Sequence, residues 1–465
     1  MPFRFDSREQ LSLGWYLIKW FGMALPLGMV VGSACALFLW SLDAATTFRA
    51  GTPDLVFLLP LAGIVIGGVY MAFGKSVAAG NNLVMDEIHQ PGGGIPLRMA
   101  PLILLTTVGT HLFGGSAGRE GTAVQMGGSL ASGFMRLLPR LSPVDVRTLL
   151  MSGVSAGFGG VFGTPVAGTI FAMEVLSIGR MKYAALVPCL IAGIASDQAC
   201  LAWGIQHTHY HVGSQLAAGS PLHLAPLTMP LLGKSIVAGA LFGLVSVLFA
   251  ECVHGLQDVF KSAIKWPLLR PAVGGSLIIG MMLLLNTTDY LGLGVSSTDA
   301  EQVTIQSSFR PGGADSWSWL WKLVFTAITL GSGFKGGEVT PLFFIGAALG
   351  NTLAILMGAP VDMFAALGFI AVFAGATNTP LACTMMGIEL FGGEYAVYFA
   401  VATFTAYLCS GHSGIYLSQR IGTPKGGSSG SPIAATLRDV RNARPKLIRG
   451  GRTPALPKRS TKTNP

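Results

Sequence analysis

Long apolar stretches alternate with short polar segments along the whole chain. Uninterrupted stretches that could cross a hydrocarbon core of about 30 Å lie near residues 20–42, 55–73, 184–204, 226–252, 270–287 and 393–410. Others are broken by Gly, Pro, Thr or a single acid, at 99–117, 149–178, 318–333, 341–358 and 362–391. Lipid tolerates such breaks only where the backbone lines a cavity or is covered by protein. The pattern predicts an all-α polytopic membrane protein with broken helices, typical of transporters and channels.

Composition and charge placement indicate the same class. Of the 465 residues, 51% are hydrophobic and only 11% are charged, whereas soluble domains carry about 25% charged residues. The formal net charge is +9, and the segment 422–465 alone holds ten basic residues against the single acid Asp439. The remainder of the chain is therefore electrically balanced, and we expect no nucleic-acid partner.

The flanking charges predict the orientation in the bilayer. Arg4 and Arg8 precede the first apolar stretch and the basic tail follows the last one, so both termini are expected in the cytoplasm. We divide the chain into a cytoplasmic N-terminal segment (1–20), a first transmembrane repeat (21–210), a second transmembrane repeat (211–420) and a basic cytoplasmic tail (421–465). The Pro, Gly, Ser, Lys and Arg content of the tail favours disorder.

Two motif blocks recur in both halves of the chain. The stretch Thr164–Thr169, followed by Glu174, matches Thr379–Thr384, followed by Glu389, and Gly118-x-Glu120-x-Thr122 matches Gly336-x-Glu338-x-Thr340. Three further positions match at the same separation as the first block, 215 residues: Gly153, Phe158 and Gly160 with Gly368, Phe373 and Gly375. A duplicated membrane half with broken helices is typical of transporters that enclose a site near the bilayer midplane.

Each Gly-x-Glu-x-Thr block follows a glycine-rich stretch and precedes an apolar helix. A helix start offers free N–H groups and a positive dipole end, so two facing starts would bind an anion. Close helix packing alone would explain many of the glycines, but it does not explain Glu120 and Glu338. A carboxylate inside the membrane costs at least ~2.5 kcal/mol and indicates function. For Glu174 and Glu389, at helix ends, we favour structural or interfacial roles.

These residues resemble the CLC family of chloride channels and anion/proton antiporters. The block Gly118–Thr122 is similar to the family's GREGP signature, with Thr122 in place of proline, and Gly336–Pro341 is similar to its GGIFAP-type signature. The stretch Gly411–Tyr416 falls where the family places its pore tyrosine. The resemblance covers about residues 20–420. It implies the CLC-type inverted-repeat fold, a multi-pass protein of the bacterial inner membrane and a homodimer within the lipid bilayer.

The departures from the family pattern resemble its bacterial fluoride/proton antiporter branch. The stretch Gly92–Pro96 nearly copies the family's GSGIP motif. It lies closer to Glu120 than the family places that motif, by about one and a half helices of chain. At the family's separation, the anion-binding serine of the motif corresponds to Asn81. Asn81, Thr122 and the sequence Glu338-Val339-Thr340 are similar to the fluoride branch. Chloride antiporters carry an inner glutamate one residue after the position of Glu174, where this chain has Val175.

The resemblance implies a proton-coupled fluoride exporter in which Glu120 is the gate and the proton carrier. Fluoride and protons are the expected ligands, and Glu338 is expected to act in selectivity. Lys335 would neutralise Glu338, attract anions at the mouth or simply extend to the membrane surface. The predicted anion ligands are backbone N–H groups, hydroxyls and amides, from Asn81, Gly118, Arg119, Gly121, Thr122, Val339, Thr340 and Tyr416.

Two alternatives stay open at this point. A chloride channel or chloride/proton exchanger would have the same fold, although Asn81, Val175 and Glu338 argue against it. An intramembrane enzyme could use Glu120 with Glu338, or His111 and His412 with an acid. The chain has no HExxH, GxSxG or metal-ligand motif, so we expect neither enzymatic activity nor a metal or cofactor.

Overall fold

The computed structural model describes residues 6–138, 140–208, 210, 212–213, 227–297, 299, 301–427 and 434–443. Its α-helices are α1 (Ser7–Gly51), α2 (Leu59–Phe73), α3 (Asn81–His89), α4 (Met99–Leu112), α5 (Glu120–Met135), α6 (Pro143–Phe162), α7 (Pro165–Glu174), α8 (Leu186–Ala202), α9 (Met229–Ala263), α10 (Leu269–Leu285), α11 (Ser318–Ser332), α12 (Val339–Met357), α13 (Val361–Thr377), α14 (Pro380–Phe391), α15 (Ala396–Cys409) and α16 (Leu437–Ala443). Short 3₁₀ turns span Pro53–Leu58, Lys75–Val77, Tyr183–Ala185, Ser307–Phe309, Gly393–Tyr395 and Lys425–Gly427. Two short strands, β1 (Ser177–Ile178) and β2 (Arg420–Ile421), pair in parallel.

Helical segments of membrane-spanning length dominate the fold. Within the described residues, five are long and apolar enough to cross a bilayer: Ser7–Gly51, Pro53–Phe73, Tyr183–Ala202, Met229–Ala263 and Val339–Met357. Shorter apolar helices, among them α4, α10, α13 and α14, pack between them. The predicted all-α polytopic membrane protein is therefore confirmed.

Two of the predicted helix breaks have the same local cause. Between α6 and α7, Gly163 adopts a left-handed φ of 70°, and Pro165 begins the next helix. Between α13 and α14, Asn378 has a φ of 59° and Pro380 begins the next helix. A left-handed residue after a helix and a proline at the next helix start end one helix and begin another. The sequence repeat is therefore a repeat of backbone geometry.

The two halves also pack in the same way. Helices α1, α6, α7 and α8 contact one another as α9, α13, α14 and α15 do. The halves meet directly where α7 packs on α14. There the Glu174 carboxylate accepts from the backbone N–H groups of Leu381 and Ala382, at 3.2 and 2.9 Å. Each carboxylate thus caps the other repeat's helix, because Glu389 likewise accepts from the first free N–H groups of α7, at 3.0 and 2.8 Å.

Most of the predicted N-terminal segment is helical. Residues 7–20 belong to α1, which continues without a break into the first predicted membrane-spanning stretch. Asp6 begins the helix, because its carboxylate accepts from the N–H groups of Arg8 and Glu9 at 3.0 and 3.3 Å. Arg4, one of the basic residues that predict the orientation, lies outside the described residues.

The expected disorder of the tail is wrong for residues 421–427 and 434–443. Leu437 is buried against Ile178 and Ile421, and the Leu437 N–H donates to the Gln419 carbonyl at 2.9 Å. Arg441 pairs with Glu251 and Asp258 on α9, at 3.3 and 3.0 Å. Apolar burial and opposite charge on α9 thus order this part of the tail. Residues 428–433 and 444–465 lie outside the described residues.

Candidate functional site

The two Gly-x-Glu-x-Thr blocks pair with each other through buried backbone at Gly118 and Gly337. The Gly118 N–H donates to the Gly337 carbonyl at 2.6 Å, and the Gly337 N–H donates to the Gly118 carbonyl at 2.7 Å. Helix α5 begins two residues after Gly118 and α12 begins two residues after Gly337. The pairing therefore brings the positive ends of the two helices together.

Only glycine fits at this contact. A Cβ atom on Gly118 would lie 2.9 Å from both the backbone nitrogen and the hydroxyl oxygen of Thr340. A Cβ atom on Gly337 would lie 2.8 Å from the backbone nitrogen of Gly121. Real Cβ atoms do not approach other atoms so closely, so these glycines serve the close approach of two backbones.

Glu120, the first residue of α5, is buried and its carboxylate lies at the start of α12. Its Oε2 atom accepts from the Thr340 N–H at 3.0 Å, from the Thr340 hydroxyl at 2.5 Å and from the Arg119 N–H at 3.3 Å. Its Oε1 atom lies 3.3 Å from the Arg119 Nε atom. A carboxylate oxygen thus occupies a position that hydrogen-bond donors and a helix dipole make favourable for any anion.

Two small cavities lie near the predicted anion ligands. Glu120, Thr340 and Arg119 line a cavity of about 20 Å³, the Glu120 cavity. It shares Arg119 and His207 with a wide vestibule of about 520 Å³. A separate cavity of about 10 Å³, the Asn81 cavity, is lined by Asn81, Tyr416 and apolar side chains. Glu120 lines the first cavity and not the Asn81 cavity, so the position that its carboxylate occupies at the start of α12, which we call the seat, faces the vestibule.

Aromatic side chains form much of the wall of the Glu120 cavity. Phe162, Phe343 and Phe369 line it, and the rings of Phe343 and Phe369 stack with centroids 3.9 Å apart. The sequence reasoning missed all three. The nearest signal was the repeat-related pair Phe158 and Phe373, whose rings stack in the same cluster at 6.3 Å.

Asn81 and Tyr416 line the same cavity. Asn81 is the first residue of α3 and follows Gly80, whose φ is +59°. Its side chain is buried and its Oδ1 atom has no hydrogen-bond partner among the described residues. The rival stretch Gly92–Pro96 lies elsewhere, with two of its N–H groups, of Gly92 and Gly94, bound to the Glu87 carboxylate at 2.8 and 2.9 Å.

Glu338 lies close to the Asn81 amide. A Cβ atom on Gly121 would be 3.1 Å from the Asn81 Nδ2 atom and 3.5 Å from the Glu338 Oε2 atom. Lys335 does not form an ion pair with Glu338; its Nζ atom lies 4.1 Å from the centre of the Tyr70 ring. Lys335 therefore acts on Glu338 through its charge at a distance and not through direct contact.

Two predicted anion ligands are turned away from the site. The Thr122 hydroxyl lies 2.9 Å from the Thr107 hydroxyl in a buried contact. Two residues along a helix rotate a side chain by about 200°, so Thr122 faces away from Glu120. The Gly118 N–H already donates to the Gly337 carbonyl and so is not free for an anion. These predictions were wrong for the Thr122 side chain and for the Gly118 N–H, because the sequence pattern does not contain the pairing of the two blocks.

The remaining predicted residues surround the same point. Arg119 lines both the Glu120 cavity and the vestibule, and Gly121 and Val339 lie at the two helix starts. Val175 lines the Asn81 cavity, so an apolar side chain lies where chloride antiporters of the family carry the inner glutamate.

The two histidines of the enzyme alternative are engaged elsewhere. The His111 ring nitrogens lie 2.9 and 3.0 Å from backbone carbonyls, and His412 accepts from the Lys425 N–H at 3.1 Å.

Comparisons with known proteins agree on one family. Residues 62–411 match the sequence profile of the voltage-gated chloride channel family. A "Chloride/fluoride channel protein" of Pseudomonas syringae pv. tomato is 49% identical over 428 residues, which cover 91% of each chain. The crystal structure of a CLC-type fluoride/proton antiporter is 35% identical and superposes with a TM-score of 0.79, covering 90% of this chain and 99% of that one.

A more distant structure shows the same fold. A slow cyanobacterial Cl-/H+ antiporter superposes with a TM-score of 0.68 at 18% identity, and the match covers 84% of this chain and 94% of that one. At this identity the likeness concerns the fold alone.

Proposed function

We propose that this chain, which belongs to the voltage-gated chloride channel (CLC) family, is a fluoride/proton antiporter that exports fluoride. Transport by members of this family supports a transporter rather than an enzyme. The fluoride named for the 49% identical relative and for the 35% identical structure supports this substrate.

The observation that carries the proposal is the position of the Glu120 carboxylate. It accepts four hydrogen bonds, two from Thr340 at the start of α12 and two from Arg119, so donors are arranged there for an anion. A fluoride ion and an ionised carboxylate cannot occupy that seat together. Protonation removes the charge of Glu120, frees the seat and loads the proton, so proton movement and anion movement become coupled.

Donors without permanent charge make up the proposed fluoride path. Fluoride is small and strongly hydrated, so a site must replace its water shell with several short hydrogen bonds. The Asn81 amide and the Tyr416 phenol would serve on one side of Glu120, and the Thr340 hydroxyl and the helix-start N–H groups of Gly121 and Val339 would serve at the seat. Because none of these groups is an ion, the fluoride could leave again.

Glu338 is proposed as a selectivity residue. Its carboxylate lies beside Gly121 and the Asn81 amide, so any anion that passes there meets a negative charge or a protonated carboxyl. A protonated carboxyl would donate a short hydrogen bond, which favours fluoride as the stronger acceptor. This role rests on the Glu338 position and on the resemblance to the fluoride branch.

Location and assembly follow as proposals. The chain would reside in a bacterial inner membrane as a homodimer, with both termini in the cytoplasm. Export of fluoride makes physical sense there, because HF crosses the membrane and dissociates inside where the pH is higher. A proton-driven antiporter would reverse that accumulation.

Ion efflux from proteoliposomes tests the substrate and the coupling together. Purified protein is reconstituted at two pH values, and release of fluoride and chloride is followed with ion-selective electrodes while a pH electrode follows protons. Fluoride-selective release with opposite proton movement is expected. Chloride release at an equal rate would favour the rival chloride/proton exchanger, and fluoride release without proton movement would favour a channel.

A further inference from the structure

A groove away from the anion pathway combines apolar walls with basic side chains. It measures about 190 Å³ and lies between the end of α3, the start of α6 and the turn before α8. Its charged residues are Arg147 and Lys182, and none of the residues that line it is acidic. His89 also lines it, with its Nε2 atom 3.0 Å from the Leu176 carbonyl oxygen. We call it the Arg147 groove. It lies at the end of the molecule that carries β1, β2 and the ordered part of the tail, because Leu176 and Lys182 flank β1.

The charge in the Arg147 groove is not used by the protein itself. Among the described residues, the side chains of Arg147 and Lys182 form no hydrogen bond or ion pair, and both are exposed. The nearby carboxylate of Asp145 is held by Lys19 at 2.6 Å. Asp86, one helical turn before His89, is exposed outside the groove. The groove therefore presents unpaired positive charge, which favours binding of an anionic ligand.

The walls of the groove favour a ligand with an apolar part. Val144, Met151 and Ile88 line it together with Leu176, and Val144 is exposed. Aromatic side chains lie beside it, since the Tyr16 hydroxyl donates to the Ala184 carbonyl at 3.2 Å and Tyr183 is exposed. Exposed tyrosines next to a membrane-spanning helix are typical of the membrane–water interface.

We infer that the Arg147 groove binds an anionic phospholipid, with the phosphate between Arg147 and Lys182 and an acyl chain along Val144 and Met151. A free phosphate would satisfy the basic side chains but would leave Val144, the exposed part of the apolar wall, in contact with water. A zwitterionic lipid would fill the walls but would place its cationic headgroup beside two basic residues. The observed combination therefore favours a lipid with net negative charge. This inference is independent of the proposed substrate.

Native mass spectrometry of the purified full-length protein tests the inference. Dioleoyl phosphatidylglycerol is titrated against dioleoyl phosphatidylcholine, and glycerol phosphate serves as the headgroup without chains. The double variant Arg147→Gln/Lys182→Gln is compared with Lys261→Gln/Lys265→Gln, which removes two exposed basic residues outside the groove. Each basic residue beside an anionic headgroup strengthens lipid binding by about fivefold. Loss of both groove residues should therefore weaken phosphatidylglycerol binding about 30-fold, whereas the control pair, which lies outside the groove, should leave it unchanged.

The outcomes separate the possible ligands. Preferential binding of phosphatidylglycerol that is lost in the groove variant and kept in the control variant supports the inference. Equal binding of both lipids by the unaltered protein overturns it, and this comparison needs no variant to fold. Equal loss in both double variants would show attraction by general surface charge and would also overturn it. Binding of glycerol phosphate as tight as that of the lipid would identify a free-phosphate site instead.

Discussion

Replacement of Glu120 by glutamine should separate fluoride movement from proton movement. The amide has nearly the shape of the carboxylate but neither its charge nor its ability to take up a proton near neutral pH. If Glu120 is the proton carrier, the Glu120→Gln variant should pass fluoride passively and carry no protons with it. Its fluoride flux should also lose its dependence on pH.

The structure also sets how much more easily the glutamine side chain should leave the start of α12 than the ionised carboxylate does. The Glu120 Oε2 atom accepts three hydrogen bonds, from two groups of Thr340 and from the Arg119 N–H. A hydrogen bond to a charged acceptor contributes about 1 kcal/mol more than one to a neutral acceptor. The Arg119 Nε–H donates a fourth hydrogen bond, to the Oε1 atom, at 3.3 Å. Four such bonds give a difference of about 4 kcal/mol, so the amide should hold the seat roughly 900-fold less firmly than the ionised carboxylate.

The assay uses liposomes loaded with fluoride, in which an outward fluoride gradient drives proton uptake against a pH gradient. Glu301→Gln, the same chemical change at an exposed acid, is the matched control and should pump protons as the unaltered protein does. Proton uptake by the Glu120→Gln variant against its gradient would refute the assignment of Glu120 as the proton carrier. A fluoride flux that stays as pH-dependent as before would refute the seat competition.

Three further changes test neighbouring parts of the arrangement. Glu338→Gln should lower the fluoride-to-chloride flux ratio by about tenfold, as measured with paired electrodes; an unchanged ratio would rule out its selectivity role. Gly118→Ala should reduce stability by about 1–3 kcal/mol, because its new Cβ would lie 2.9 Å from Thr340 atoms; an unaltered melting temperature in detergent would contradict the close approach. Glu389→Gln should weaken the cap on α7 by about 1–2 kcal/mol, with a lower melting temperature but unaltered fluoride selectivity, whereas altered selectivity with normal stability would assign Glu389 to the pathway.

The sequence alone carried a large share of the architecture. Apolar stretches and their interruptions predicted a polytopic helical membrane protein, and the structure breaks helices at Gly163 and Asn378 where the pattern is broken. Hydrophobic length, left-handed caps and prolines act over a few residues, so they can be recognised without the rest of the fold. The repeat in the sequence likewise predicted two halves that pack alike.

The candidate site was only partly accessible from the sequence. The family resemblance assigned Asn81, and not the stretch Gly92–Pro96, to the serine position, and the repeat singled out Glu120 and Glu338 as membrane acids. The sequence did not reveal the aromatic wall around Phe343 and Phe369, because a phenylalanine in an apolar helix looks the same whether it faces lipid, core or a cavity. The ordered part of the tail was also missed, since its burial against Ile178 depends on a strand pairing between distant residues.

Tertiary structure decided which donors are free and what occupies the seat. The backbone pairing of Gly118 with Gly337 uses up one predicted anion donor, helix rotation turns Thr122 toward Thr107, and the Glu120 carboxylate lies against Thr340. The contacts of Gly118 with Gly337 and of Glu120 with Thr340 join residues more than 200 positions apart in the chain, whereas Thr122 and Thr107 are 15 positions apart. A sequence pattern specifies which groups are available locally, whereas hydrogen-bond partners at a meeting of two helix starts depend on how the two repeats pack.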